Sequence, residues 1–230
     1  MVLVGCHVSI AGSIDLAVGR ALDSGCDTFQ IFSRNPRGWK AKDLDPDVAG
    51  AFRRALDASG IGPAVDHMPY LPNLASPDDA IYEKSVAALT DELRRCEVLG
   101  IPCLVTHLGH HRGAGTGTGQ ERVVAAINRA LEEAGAQGVM LLLENTAGEK
   151  NSVGSTVADL CRIFEGIDGE ERIGICFDTC HAFAAGYDLR TGEGVDAVLE
   201  EIDDLIGPGH LRIIHLNDCK GDLGSGLDRH

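Results

Sequence analysis

Five short apolar runs in this 230-residue sequence end in a residue that can hold a metal ion or move a proton: His67, His107, Glu144, Asp178 and His215. His181 follows Asp178 by three residues in the stretch FDTCHAFAAGYD, and the last residues are Asp228, Arg229 and His230. Any one of the nine histidines, taken singly, is an ordinary structural or surface residue. The set is different, because histidines and carboxylates recur at the same point of successive runs. Neutral imidazole and carboxylate together suit Zn²⁺, and also Mn²⁺ or Fe²⁺. Five histidines and three carboxylates exceed what one tetrahedral ion can use. The set implies two or three ions, with a carboxylate bridging at least two. His110, His111 and His210 are left as structural or surface residues. So is His7, although it closes the first run and could line the site.

The elements that must position these residues alternate regularly. Strand-like runs fall at 2–10, 28–32, 62–67, 102–107, 138–145, 173–178 and 211–218. Helical spacing of apolar residues fills 14–24, 47–59, 78–99, 120–134, 156–166 and 195–206. The Gly-rich segment 109–119, GHHRGAGTGTG, reads as a flexible surface loop; its GxGxxG-like look is a weak signal, with no acidic residue where a dinucleotide site needs one. Strand–helix alternation without reversal predicts parallel α/β architecture, a (β/α)8 TIM barrel in one domain over 1–230. In that fold functional side chains gather at the C-terminal ends of the strands, where the candidate ligands stand. Only seven units are present, so the eighth β/α unit is expected to be absent and the two edge strands open.

Composition narrows the classes. No apolar run reaches the roughly 18 residues of a membrane span, and the N-terminus has no secretory pattern, so a cytoplasmic protein is expected. The eight cysteines are scattered, without a CxxC pair, and read as reduced thiols. A net charge of −15 argues against nonspecific nucleic-acid affinity, though not against an enzyme whose site carries its own cations. The acid-rich, Lys-poor balance also fits solubility at high salt.

Several blocks carry a family resemblance. HMPYL at 67–71, THLG at 106–109, LENTAG at 143–148, FDTCHAFAAGYD at 177–188, HLND at 215–218 and DRH at 228–230 together resemble endonuclease IV, the zinc-dependent apurinic/apyrimidinic endonuclease of base excision repair. GCHVSIAGS at 5–13 and NPRGWK at 35–40 resemble the same family's opening segments. The resemblance implies three Zn²⁺ ions, with Mn²⁺ an alternative metal. His67, His107 and Glu144 match the ligands of the first ion. Glu144, Asp178 and His215 match those of the second, with Glu144 bridging. His181, Asp228 and His230 match those of the third. It also implies hydrolysis of the phosphodiester 5′ to an abasic site in double-stranded DNA, leaving a 3′-hydroxyl and a 5′-deoxyribose phosphate, with Glu144 and Asp178 as the catalytic carboxylates. Arg37, Tyr70 and Leu71 match the residues that contact kinked DNA and fill the gap left by a flipped-out nucleotide. A monomer is expected.

The family continues into an eighth strand, whose terminal Glu completes the second metal set. This sequence ends before it, so lower stability and activity are expected of these 230 residues alone. Two other readings use the same residues: a metal-dependent barrel isomerase or epimerase acting on sugars, and a non-catalytic binder of abasic DNA.

Overall fold

Runs of four to six apolar or β-branched residues, each stopped by a polar or Gly-containing turn, form the strands. The longer periodic stretches form the helices that return the chain. The computed structural model describes residues 2–230. Its strands are β1 (Gly5–His7), β2 (Thr28–Ile31), β3 (Ala64–His67), β4 (Cys103–Thr106), β5 (Met140–Glu144), β6 (Ile173–Asp178) and β7 (Leu211–His215). Between them lie α1 (Leu16–Asp23), α2 (Pro46–Ser59), α3 (Asp79–Leu99), α4 (Thr116–Ala134), α5 (Val157–Glu165), α6 (Thr179–Ala185) and α7 (Gly192–Leu205). One parallel sheet runs β1 to β7 in sequence order, as seven units of a TIM barrel should. Side-chain caps start the helices: Asp45, Asp78, Thr156 and Thr191 each accept a backbone N–H of the first turn.

Two apolar layers result. Outside the sheet, Leu104, Leu141, Leu143, Ile173 and Ile175 pack with helix residues such as Leu89, Leu93, Val123 and Ile127. Inside the curl, Val65, Val105, Leu142 and Cys176 form a second cluster, with Ile213 against it. The inner layer sets up the site by parity. Side chains alternate faces along a strand, so His67, His107, Glu144, Asp178 and His215 each stand two residues beyond an inner-layer residue. All five are therefore carried to the inside of the curl at its C-terminal mouth.

In β7 that parity depends on a bulge. Ile175 pairs with Leu211, but Cys176 pairs with Ile213, so Arg212 is the extra residue. A straight ladder from Leu211 would set Ile214 opposite Asp178. The bulge sets His215 there instead. Gly174 makes room for it, since a Cβ at that position would lie 2.9 Å from Arg212 Cγ and 2.8 Å from Leu142 Cδ2.

Two expectations change. The first strand covers three residues rather than nine, and all three are exposed, because β1 has a neighbour on one side only. The Gly-rich segment is not a loop throughout: His111 is buried, its Nδ1 accepts the N–H groups of Gly113 and Gly115, and α4 begins at Thr116. The strand at 173–178 is as expected, and a short helix not foreseen there, α6, starts directly after Asp178, whose side chain caps it by accepting the N–H of His181. All eight cysteines are free thiols, as expected. No helix among the described residues is long and apolar enough to cross a membrane.

Candidate metal centre

Glu144 is the hub. It ends the central strand β5, is buried, and uses its two oxygens in different directions. Oε2 lies 3.1 Å from His67 Nε2 and 3.3 Å from His107 Nε2. Oε1 lies 2.9 Å from His215 Nδ1 and 3.7 Å from His181 Nδ1. Asp178 faces the same space, with Oδ2 3.9 Å from His215 Nδ1. His181 Nε2 points the other way, 3.2 Å from Asp228 Oδ1, and His230 Nδ1 lies 3.8 Å from that same oxygen. All eight sequence candidates thus meet at one mouth. Donor atoms of His67, His107 and Glu144 lie within 4.8 Å of one another, as do those of Glu144, Asp178 and His181. Cys176 with Glu144 and His215, and Cys180 with Asp228 and His230, make two further groups.

The donor chemistry fits zinc. Bonds of about 2.0–2.1 Å in a tetrahedral site put neighbouring donors about 3.3 Å apart, and Glu144 Oε2 lies at about that distance from both His67 Nε2 and His107 Nε2. Tautomers are preset as well. His67 Nδ1–H donates to the Met68 carbonyl at 2.7 Å and His181 Nδ1–H to the Asn145 carbonyl at 2.9 Å, which assigns Nε2 as the ligating nitrogen of each, that of His67 toward Glu144 and that of His181, once its proton is displaced, toward Asp228. Asn217 donates to Asp178 Oδ2 at 2.6 Å. Both thiols are poorer donors: burial raises the Cys176 pKa well above its ordinary value, and burial with the neighbouring Cys219 thiol raises that of Cys180 to about 12.

Electrostatics divide the cluster. Burial alone would raise the Glu144 pKa, but His107, His215 and His67 outweigh it and hold the carboxyl well below its ordinary range. Burial lowers His107 to about 4, despite Glu144. His181 goes the other way: burial opposes its charge, yet the Asp228 hydrogen bond and the Asp178 and Glu144 carboxylates raise it to about 9. One side of the cluster offers an imidazole already free of its proton. The other holds a proton that a cation must displace.

Around the mouth, Tyr70 is 65% and Leu71 40% exposed. The Tyr70 ring sits over Phe32, His67 and His107, with centroids 5.2, 5.9 and 6.3 Å away. Arg37 is exposed in the turn after β2. A buried network that sequence reasoning passed over fixes this turn. Arg34 pairs with Glu92 of α3 and donates to the Trp39 carbonyl at 3.1 Å. Arg95 reaches the Ser33 and Lys42 carbonyls at 2.6 and 3.1 Å. Asp66, raised by burial and by Glu92, accepts the N–H groups of Ser33 and His67. The available signal was Glu92 itself, a charge in phase with Leu89, Leu93 and Cys96.

Comparison with known proteins settles the family. A family model described as Xylose isomerase-like TIM barrel matches residues 18–230. A Methanoculleus marisnigri protein named "Probable endonuclease 4" is 81% identical over 230 residues, covering 100% of this chain and 82% of its own length. The chain belongs to the endonuclease IV family. A second "Probable endonuclease 4", from Methanosphaerula palustris, is 61% identical over 100% of this chain and 81% of its own. The crystal structure of endonuclease IV from Thermus thermophilus superposes with a TM-score of 0.87 at 39% identity, over 97% of this chain and 79% of that one. A D-tagatose 3-epimerase-like protein shares the fold alone, with a TM-score of 0.72 at 19% identity. This endonuclease IV relative thus spans about four fifths of the proteins it matches.

Proposed function

We propose that the protein is a DNA-repair endonuclease that hydrolyses the phosphodiester 5′ to abasic sites in duplex DNA, acting as a single-domain monomer with three zinc ions. The observation that carries this reading is the split carboxylate of Glu144, one oxygen turned to His67 and His107 and the other to His215. His67, His107 and Glu144 would hold one ion, Glu144, Asp178 and His215 a second, and His181, Asp228 and His230 a third. Mn²⁺ satisfies the same donors. Bound zinc would supply Lewis acidity toward the phosphate and a water of lowered pKa.

The chain's own residues do the rest. Glu144 and Asp178 present anionic oxygens at the mouth and orient the imidazoles. Tyr70 and Leu71 offer an apolar surface beside the cluster, suited to filling a gap in a base stack. Arg37 adds a cation for the DNA backbone on an otherwise acidic protein. A sugar epimerase would use the same barrel, but an exposed Tyr–Leu wedge and an Asp228–His230 pair give it no advantage.

The test is nicking of a duplex with one abasic site, with and without chelator, together with metal counting. Chelator-sensitive incision 5′ to the site, about three zinc per chain, and markedly weaker abasic-duplex binding by Tyr70→Ala are expected. Tight binding without incision in excess zinc would instead favour a damage binder, and one ion per chain with sugar epimerisation would favour the other reading.

A further inference from the structure

The ring of His215 lies between two side chains. Its Nδ1 is 2.9 Å from Glu144 Oε1, and its Nε2 is 2.9 Å from Gln30 Oε1. The other end of that amide is also engaged, with Gln30 Nε2 3.2 Å from His7 Nδ1. A neutral imidazole has one N–H and one lone pair, and the partner of one nitrogen decides which is which. Glu144 Oε1 and Gln30 Oε1 are both acceptors, so without a cation the ring donates from both nitrogens. A cation that takes Nδ1 displaces only the proton facing Glu144, and Gln30 keeps the other proton on Nε2. The flipped amide would aim its NH₂ at Nε2 and turn an N–H toward Glu144, the orientation that excludes a cation.

His67 and His181 are oriented by backbone carbonyls, as described above. His215 is oriented by a side chain, from a strand that has no ladder to its own. Gln30 is on β2, one strand in from the β1 edge, and His215 is on β7, the other edge of the sheet. Within the apolar run TFQIF it stands on the inner-face parity, two residues beyond Thr28.

We propose that Gln30 is a positioning residue for metal binding: its amide, steadied by His7, locks His215 with Nδ1 toward Glu144 and Asp178. This rests on the zinc reading above. Gln30→Leu removes the acceptor at nearly equal volume. Gln30→Glu keeps an oxygen in the same place.

Zinc and cobalt affinities are measured by chelator competition on the wild-type chain and both variants, along with the cobalt visible spectrum and metal-free melting. Gln30→Leu should weaken one ion's binding by about 10–100-fold, the usual effect of an outer-shell partner, and change the cobalt bands of that ion. Gln30→Glu should keep wild-type affinity within a few-fold. Unchanged affinity and spectrum in Gln30→Leu, or an equal loss in Gln30→Glu, overturns the proposal. ¹⁵N-histidine NMR of the zinc-loaded wild type decides independently of any variant's folding: a protonated Nε2 and a metallated Nδ1 on His215 are expected, and the reverse sinks the idea. A wild-type chain that binds no zinc overturns the metal reading itself, and the proposal with it.

Discussion

The two sides of the metal cluster are built from the same kinds of residue and differ in what stands behind them. On the β3–β6 side every strand has neighbours on both edges, and nearly all of its residues are buried. On the other side β1 is exposed throughout, β7 alternates between half-buried and exposed, and Asp228 and His230 are exposed. Neighbours change the chemistry of identical donors. Burial opposes the charge of both rings; His107, beside His67 and His181, is stripped of its proton, whereas His181, facing Asp228, Asp178 and Glu144, is charged. A ligand set read as uniform from its residue types is thus preorganised on one side and dependent on its occupant on the other.

The comparison can be broken most forcefully at the network beneath the enclosed side. Glu92→Leu leaves the Arg34 guanidinium buried without its partner, a change that typically costs about 3–5 kcal/mol. Urea unfolding should show that loss, and adding Arg34→Met should recover much of it. Little change in the single variant would mean that the Arg37 turn is not held from α3.

Next comes a matched pair of truncations. Leu142→Ala removes side-chain volume from the inner layer and should cost about 2–5 kcal/mol. Ile214→Ala, on the rim strand and 51% exposed, should stay within about 0.5 kcal/mol. Equal losses by thermal or urea unfolding would abolish the distinction between the two sides.

The smallest effect concerns protons. In the metal-free chain His181 keeps its proton up to about 9, above the ordinary histidine value of about 6.5. Its contribution to stability is therefore complete below about pH 6.5 and lost as pH rises through about 9. His107 is depressed to about 4, so its contribution is present above about 6.5 and lost as pH falls through about 4. Metal entering the His181 set must expel a proton, and affinity there should rise about tenfold per pH unit between 7 and 9. The pH dependence set by His107 should be flat over that range. Calorimetry at pH 8 in buffers of different ionisation enthalpy should count about one proton released by the rim set; none would contradict the contrast.

Much of this was legible in the sequence, because a metal cluster at a barrel mouth requires ligands at strand ends, and strand ends are visible as the limits of apolar runs. The family blocks carried the same residues. What escaped reading were features that hinge on neighbours in space. Gln30 sits in an apolar run and looks like a tolerated polar residue until β7 is brought opposite. Asp66 precedes a ligand and reads as its echo, although it faces outward to Ser33 and Cys96. Helix α6 is too short to show a period. The turn that leads the Gly-rich segment into α4 has His111 accepting two backbone N–H groups, which composition does not show.

The bulge at Arg212 makes β7 behave like a reading frame. Upstream of it the strand is one residue out of phase with its neighbour; downstream the phase is restored. Removing Arg212 would straighten the ladder and leave Ile213 and His215 opposite Cys176 and Asp178. Removing Ile214, two positions later, would rotate His215 to the outer face and take it away from both Glu144 and Gln30. Two deletions of equal length in one strand therefore have opposite meanings for the metal centre, and the strand's tolerance of length change is decided by which side of the frame correction it falls on.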